Sequence, residues 1–99
     1  MRVIIQPQAE ADLEEIVDYI ARDAPLRAFS FARELRERCE SLADMALAFP
    51  LVPRYEHKGV RRRPHGNYLI FYRVAVDQID VLHVLNGAQD YEAILFPAE

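Results

Sequence analysis

The sequence has one cysteine, no tryptophan and only three glycines among its 99 residues. A single cysteine cannot form an intramolecular disulfide, and there is no cysteine cluster of the kind that binds structural zinc. The three histidines, His57, His65 and His83, are not spaced as paired metal ligands. The sequence therefore predicts no disulfide framework, no metal and no cofactor.

Long apolar runs are also missing. No stretch approaches the ~20 apolar residues that a membrane-spanning helix requires. The N-terminus becomes acidic within its first turns and lacks the apolar core and small-residue cleavage site of a secretory signal. These features favour a cytoplasmic protein. The hydrophobic fraction of 52% is ordinary for a globular chain, and residues 1–99 are predicted to form one domain.

Charge is distributed unevenly along the chain. The formal net charge is -4, yet residues 54–73 hold six basic side chains and one acid, a net +5. Residues 74–99 hold five acids and no base. A negative net charge disfavours non-specific binding to nucleic acid, whereas a local basic segment can engage phosphate or an acidic peptide.

Two amphipathic helices are predicted, at residues 8–22 and 26–45. In the first, apolar residues recur at helical spacing from Ala9 to Ile20, and the acids, Asp12 included, are assigned to the remaining faces. The apolar stripe of the second includes Cys39, interpreted as an inert core residue. The short break around Pro25 indicates a helical hairpin.

Strands are predicted at residues 2–6, 67–75 and 79–86, with residues 60–63 as a further strand or edge. Residues 88–96 are compatible with a short helix or a last strand. The strands predicted at residues 67–75 and 79–86 are apolar on both faces. In the first of them, Leu69 and Phe71 point to the face opposite to that of Tyr72. A half-solvated antiparallel sheet alternates apolar and polar residues, so both faces of this sheet require cover. The helical hairpin covers one face, and the C-terminal segment, a partner chain or both must cover the other.

Three segments carry a family resemblance: ADLEEIVDYIARDAP, VRRRPHGNYLIFYRV and IDVLHVLNGAQDYEAIL. In this order, and over nearly the whole chain, they resemble the ParE branch of the RelE/ParE toxin superfamily. GNYLIFYRV and VLNGAQD are the most specific pieces. The sequence departs from the usual family pattern at His83, Asn86 and Gln89, where arginine, histidine and arginine are common.

The resemblance implies an α+β domain of order β-α-α-β-β-β, with a helical hairpin packed on a small, mainly antiparallel sheet. It also implies the toxin of a type II toxin–antitoxin module of the plasmid-stabilisation type. The expected partner is a ParD-like antitoxin, whose ribbon-helix-helix part binds operator DNA and whose extended segment wraps the toxin. Inhibition of DNA gyrase by binding is the favoured mechanism. A RelE-like ribosome-dependent mRNA endonuclease is the alternative, and an antitoxin-bound relic acting only in autoregulation is a third.

Candidate residues for binding the antitoxin or the target are basic, apolar and amide side chains of the predicted sheet: Arg61, Arg63, Leu69, Phe71, Arg73 and Asn86. Because Arg62 alternates with its two neighbours along a strand, the three consecutive arginines cannot all serve one site. Alternatively, charged side chains on an edge strand have the single role of preventing aggregation. The segment is interpreted as an electropositive rim beside an apolar sheet face, which suits an acidic, partly hydrophobic peptide.

A ribonuclease would need a base, an acid and cations that stabilise the phosphorane. Its candidates are Arg61, His83 and Tyr91, although a histidine on an apolar strand face is more often a hydrogen-bonded structural residue. Residues 74–99 contain no lysine or arginine, and the net charge is negative. Both features disfavour the ribonuclease, because binding to ribosomal RNA is dominated by phosphate electrostatics.

Overall fold

A computed structural model describes residues 1–98, which form a four-stranded sheet with a helical hairpin on one face. The regular elements, in chain order, are β1 (Arg2–Ile5), α1 (Pro7–Ala21), α2 (Pro25–Glu40), β2 (Val60–His65), β3 (Tyr68–Val74), β4 (Gln78–Asn86) and α3 (Tyr91–Leu95). The predicted α+β fold and helical hairpin are confirmed, and the C-terminal segment is a helix. Among residues 1–98, no helix is both long and apolar enough to cross a membrane.

The strands lie in the order β1-β4-β3-β2. Strands β2, β3 and β4 form an antiparallel meander, whereas β1 pairs in parallel with β4, with Arg2 opposite Gln78 and Ile5 opposite Val81. A parallel partner cannot be reached through a tight hairpin, so the chain leaves the sheet after β1 and returns to it later. Pro7 starts α1 at this exit, because its missing N–H and fixed φ suit the first turn of a helix.

Helix α2 ends at Glu40, so the prediction that it continues to residue 45 is wrong. The chain tightens there into a 3₁₀ turn at Ser41–Asp44. The Ser41 hydroxyl donates to the backbone oxygen of Arg38 at 3.0 Å and satisfies one of the last carbonyls of the helix. Leu42 is fully buried in this turn. Its place in the apolar stripe made the segment resemble a continued helix.

The larger core lies between the hairpin and the sheet. Its buried members come from α1, α2, the 3₁₀ turn, β3 and β4: Ala9, Leu13, Ile16, Phe31, Leu35, Cys39, Leu42, Ile70, Tyr72, Ile79, Val81 and Val84. Tyr72 is the largest fully buried side chain. Its hydroxyl donates to the backbone oxygen of Ala46 at 2.7 Å, and burial raises its pKa. Each large apolar side chain buried in this way contributes about 1.5–3 kcal/mol.

The opposite face of the sheet is covered by the chain itself. Phe71 is 0% exposed there and packs with the rings of the C-terminal segment. We call residues 91–96 the C-terminal strap. The strap and the loop at residues 52–55 supply the cover that the sequence analysis assigned in part to a partner chain. Phe71 is therefore buried by the chain itself, and its role in binding a partner stays a prediction.

A buried carboxylate connects α1 to β4. Strand β4 contains a bulge, because Phe71 pairs with His83 while the next residue of β3 pairs with Val81. Beyond the bulge, the Val84 N–H donates to Asp12 Oδ2 at 2.9 Å, and His83 Nδ1 lies 2.8 Å from the same oxygen. The other oxygen accepts from Gln8 Nε2 at 3.0 Å. Asp12 is only 6% exposed, so its assignment to a face of α1 other than the buried apolar stripe is wrong.

We expect Asp12→Ala to lower the free energy of unfolding by about 2–3 kcal/mol, because it leaves the buried Val84 N–H without an acceptor. Chemical denaturation of the purified protein measures this change. Asp18→Ala on the same helix is the matched control, because Asp18 is exposed; its effect should stay within about 0.5 kcal/mol. Equal unfolding midpoints for Asp12→Ala and the unchanged protein would contradict the assigned role.

Candidate functional site

The three consecutive arginines of β2 divide between the two faces of the sheet. Arg62 stands opposite Phe71 and shares its face, so Arg61 and Arg63 point to the helix side. The alternation of the three arginines expected from the strand is therefore present. We call the β2–β3 surface formed by Arg61, Arg62, Arg63 and Arg73 the basic edge.

On the helix side, two arginines hold the loop that follows α2. Arg63 Nη1 donates to the backbone oxygen of Arg38 at 2.9 Å and to Ser41 Oγ at 2.7 Å. Its guanidinium also lies 4.7 Å from the ring centroid of Phe49. Burial, and secondarily the nearby Arg38, lower the pKa of Arg63. Arg61 Nη1 donates to the backbone oxygen of Phe49 at 2.7 Å. A cation at the C-terminal end of α2 also stabilises the helix dipole.

On the opposite side, Arg62 contacts the C-terminal strap. Its Nη1 donates to the hydroxyl of Tyr91 at 2.6 Å, and the Tyr91 ring packs on Phe71 with centroids 5.1 Å apart. Arg54 donates to both carboxylate oxygens of Glu92, each at 2.7 Å. These contacts attach the strap to the basic edge and to the loop at residues 52–55.

Phe96 completes the attachment of the strap. Its ring stacks on Tyr55 with centroids 4.4 Å apart and an interplanar angle of 13°. Phe96 is 7% exposed, whereas α3 itself contains no fully buried residue. The strap is therefore a thin cover, held by aromatic contacts at both of its ends.

The basic edge keeps its positive charge although its side chains are fixed. Arg61, Arg62 and Arg63 donate to carbonyl and hydroxyl oxygens, and no carboxylate within residues 1–98 forms an ion pair with them. Arg73 is exposed, and its Nε donates to the backbone oxygen of Lys58 at 3.3 Å. Leu69 is half-buried on the same face as Arg73. Arg73 and Leu69 are thus the predicted binding residues that solvent reaches on the strap side.

Asn86 lies at the other end of the sheet, where β4 ends. Its Oδ1 accepts from the Ala88 N–H at 2.9 Å, and its own N–H donates to Gln89 Oε1 at 2.9 Å. These bonds shape the turn from β4 into the strap. The structure does not bring Asn86 together with the basic edge, because the two lie on different strands and at different ends.

The three ribonuclease candidates are not assembled into one site. Arg61 points to the helix side and is bonded to a backbone carbonyl, whereas Tyr91 lies on the strap side and accepts from Arg62. His83 is bonded to the buried Asp12, in agreement with its interpretation as a structural histidine. A base and an acid that act on one phosphodiester must both reach it, and this arrangement does not place them together.

Sequence reasoning missed Asp12 and Arg62. Asp12 follows Ala9 by three residues and precedes Leu13 and Ile16 on the buried stripe, so its position already indicated an acid with a buried partner. The role of Arg62 depends on a tyrosine 29 residues away in sequence, and no local pattern signals that contact.

Comparisons with known proteins identify the family and agree with the fold. The family model described as "ParE toxin of type II toxin-antitoxin system, parDE" matches residues 3–91. A solved structure titled "Chromosomal ParDE TA system from P. aeruginosa" superposes with a TM-score of 0.76 at 24% sequence identity, covering 87% of this chain and 95% of that chain. This structural similarity supports the fold. No curated protein sequence matches the chain.

We expect Arg63→Ala to lower the free energy of unfolding by about 1–2 kcal/mol, because two hydrogen bonds and the contact with the Phe49 ring are lost. Arg63→Lys should recover only part of this loss, since an ammonium keeps the charge but lacks the planar fork. Chemical denaturation measures both, with Arg33→Ala on the exposed face of α2 as the control. Equal stability of the lysine variant and the unchanged protein would contradict the proposed geometry.

The one cysteine lies in the core between α2 and the sheet and is fully buried. Burial raises the pKa of the Cys39 thiol from 9.0 to about 12. Within residues 1–98, no group of three or more His, Cys, Asp or Glu side chains could hold a metal ion.

Because the folded pKa of Cys39 is raised, its contribution to stability is fully present below about pH 9 and is lost as the pH rises towards about 12. We therefore expect a thiol reagent to modify the native protein slowly at pH 8 and rapidly after unfolding. The Cys39→Ala variant should lose less stability than the unchanged protein as the pH rises from about 9 towards about 12. A native thiol as reactive as the unfolded one would contradict its burial.

Proposed function

Because the chain belongs to the family of ParE toxins of type II toxin–antitoxin systems, we propose that it inhibits DNA gyrase by binding and is neutralised by a cognate antitoxin. One observation carries the choice of binding over catalysis. The side chains that a ribonuclease would use lie on different faces of the sheet and are engaged in contacts that hold the fold together. Their separation supports an inhibitor that acts through a surface.

Electrostatics support the same choice. The formal net charge is -4, and the segment that follows the basic edge contains no lysine or arginine. A protein that docks on ribosomal RNA gains most of its affinity from neutralising phosphates. The local excess of positive charge lies in residues 54–73, which include the basic edge, and it suits an acidic protein segment.

The basic edge and the strap form the contact surface in this proposal. Arg73 and Leu69 are accessible and contact the partner directly, and Arg62 contributes positive charge beside the strap. Arg61 and Arg63 act indirectly, because they hold the loop after α2. The antitoxin is a ParD-like protein of the cytoplasm, which lays an acidic, partly apolar segment on this surface and contacts operator DNA through its own ribbon-helix-helix part.

The proposal is tested with purified protein in two parallel assays. We expect the toxin to change the supercoiling activity of DNA gyrase and to leave ribosome-bound messenger RNA uncut in a translation extract. Addition of the antitoxin should restore gyrase activity. Cleavage of the message without any effect on gyrase would favour the endonuclease, and the absence of growth inhibition on expression would favour the non-toxic relic.

Tyr91→Phe separates the two mechanisms further. We expect growth inhibition to stay within about twofold of the unchanged toxin, because the ring that packs on Phe71 is retained. Loss of a general acid or base would instead reduce a catalytic rate about a hundredfold or more. Arg73→Glu is the companion variant, since it reverses an exposed charge of the contact surface. Abolition of toxicity by Tyr91→Phe alone, in a protein that remains folded, would contradict the binding mechanism.

A further inference from the structure

An open groove of about 340 Å³ lies between α1 and the end of the sheet where β3 begins and β4 ends. Its floor is apolar, because Ile16, Val84 and Leu85 are buried. The side chains of Tyr19 and Tyr68 also line it. Its volume is at the lower end of the range of ligand sites, about 300–1,000 Å³, and suits a single long side chain.

Both charged side chains that line this groove are carboxylates. Asp12 is already saturated by its hydrogen bonds to the sheet and to Gln8. Glu15 is exposed at the rim, and no cationic side chain within residues 1–98 forms an ion pair with it. Glu10 on the same helix, in contrast, forms an ion pair with an arginine of α2. The groove therefore has a negative charge that the described part of the chain does not neutralise.

Aromatic walls, an apolar floor and a free carboxylate together match the chemistry of arginine. The aliphatic stem of an arginine packs on apolar atoms while its planar guanidinium stacks on a ring and donates to a carboxylate. Tyr19 already attracts one guanidinium, since the Cζ of Arg22 lies 6.0 Å from the centroid of its ring. Lysine provides the charge but not the planar face, and an acidic or neutral side chain would leave Glu15 unpaired.

We propose that this groove binds an arginine side chain of the antitoxin. The inference rests on the proposed function, because it takes the antitoxin as the tightly bound partner, and buried arginines are frequent anchors of tight interfaces. Charge complementarity supports the assignment. The contact is distinct from the basic edge, because an acidic segment that suits the edge is repelled by Glu15 and Asp12. The antitoxin segment therefore carries a cation where it passes α1.

A small-molecule probe tests the chemistry of the groove without the antitoxin. Full-length toxin is titrated with N-acetyl-arginine amide and, as the neutral isostere, with N-acetyl-citrulline amide, while backbone amide signals are followed by NMR. We expect the arginine compound to shift the signals of Tyr19, Tyr68 and Asn86, and the citrulline compound to shift them far less. Glu15→Gln should abolish the difference. Equal shifts from both compounds, or arginine-specific shifts confined to other surfaces, would overturn the proposal.

Glu14→Gln is the matched control, because Glu14 is the adjacent exposed acid on α1 and lines a different groove. In the complex with the cognate antitoxin, we expect Glu15→Gln to raise Kd about tenfold, as for loss of a hydrogen bond to a charged group. Gln89→Arg should also raise Kd, because it places an internal cation at the rim. Glu14→Gln should leave Kd unchanged.

The two proposals fail in different ways. If the antitoxin binds the unchanged toxin and Glu15→Gln has the same Kd, the arginine site is wrong and the proposed function stands. If the antitoxin does not bind the unchanged toxin, the proposed function fails, and the antitoxin is excluded as the occupant of the groove. The titration with the arginine amide then still reports whether the groove selects a guanidinium.

Discussion

The buried carboxylate of Asp12 is the constraint on which the rest of the structure depends. The Val84 N–H, beyond the β-bulge of β4, donates to Asp12, and this donor would be costly to leave without an acceptor in the core. Asp12 accepts hydrogen bonds from the Val84 N–H and from His83, and it thereby fixes the position of α1 along the sheet. The position of α1 in turn sets the hairpin, the larger core and the groove beside Glu15. One acid thus decides how the helical layer sits on the strands.

The arginines show how one set of charges serves both stability and recognition. Arg61 and Arg63 bind backbone oxygens of the loop after α2, and Arg62 binds the C-terminal strap. A hydrogen bond to a neutral oxygen fixes a guanidinium without cancelling its charge, so the surface remains positive. Because the side chains are already fixed, they lose little conformational freedom when a partner binds. Pre-ordered side chains reduce the entropic cost of association. The basic edge is in this sense prepared for binding by the same contacts that hold the loops.

Sequence patterns predicted the elements well and the contacts between them poorly. The periodicity of apolar residues predicted both helices and the two long strands, because an element that buries one face repeats its apolar residues at a characteristic spacing. It failed at the end of α2, where Leu42 keeps the apolar spacing in a tighter turn. It could not decide what covers Phe71, since the covering residues lie in the strap and in a loop, both remote in sequence. The contacts of the arginines were unpredictable for the same reason: their acceptors are set by tertiary packing.

The parallel pairing of β1 with β4 has a consequence for how the chain folds. Arg2 lies opposite Gln78, so β1 cannot join the sheet until β4, more than 70 residues later in the sequence, has been synthesised. Contacts between residues so far apart in sequence slow folding, because the closure of a long loop precedes any gain from the pairing. The strap is made later still, so Phe71 and its neighbours stay open to water until residues 91–96 have been synthesised. The nascent chain therefore passes through a stage in which its helical hairpin has formed and its sheet has not.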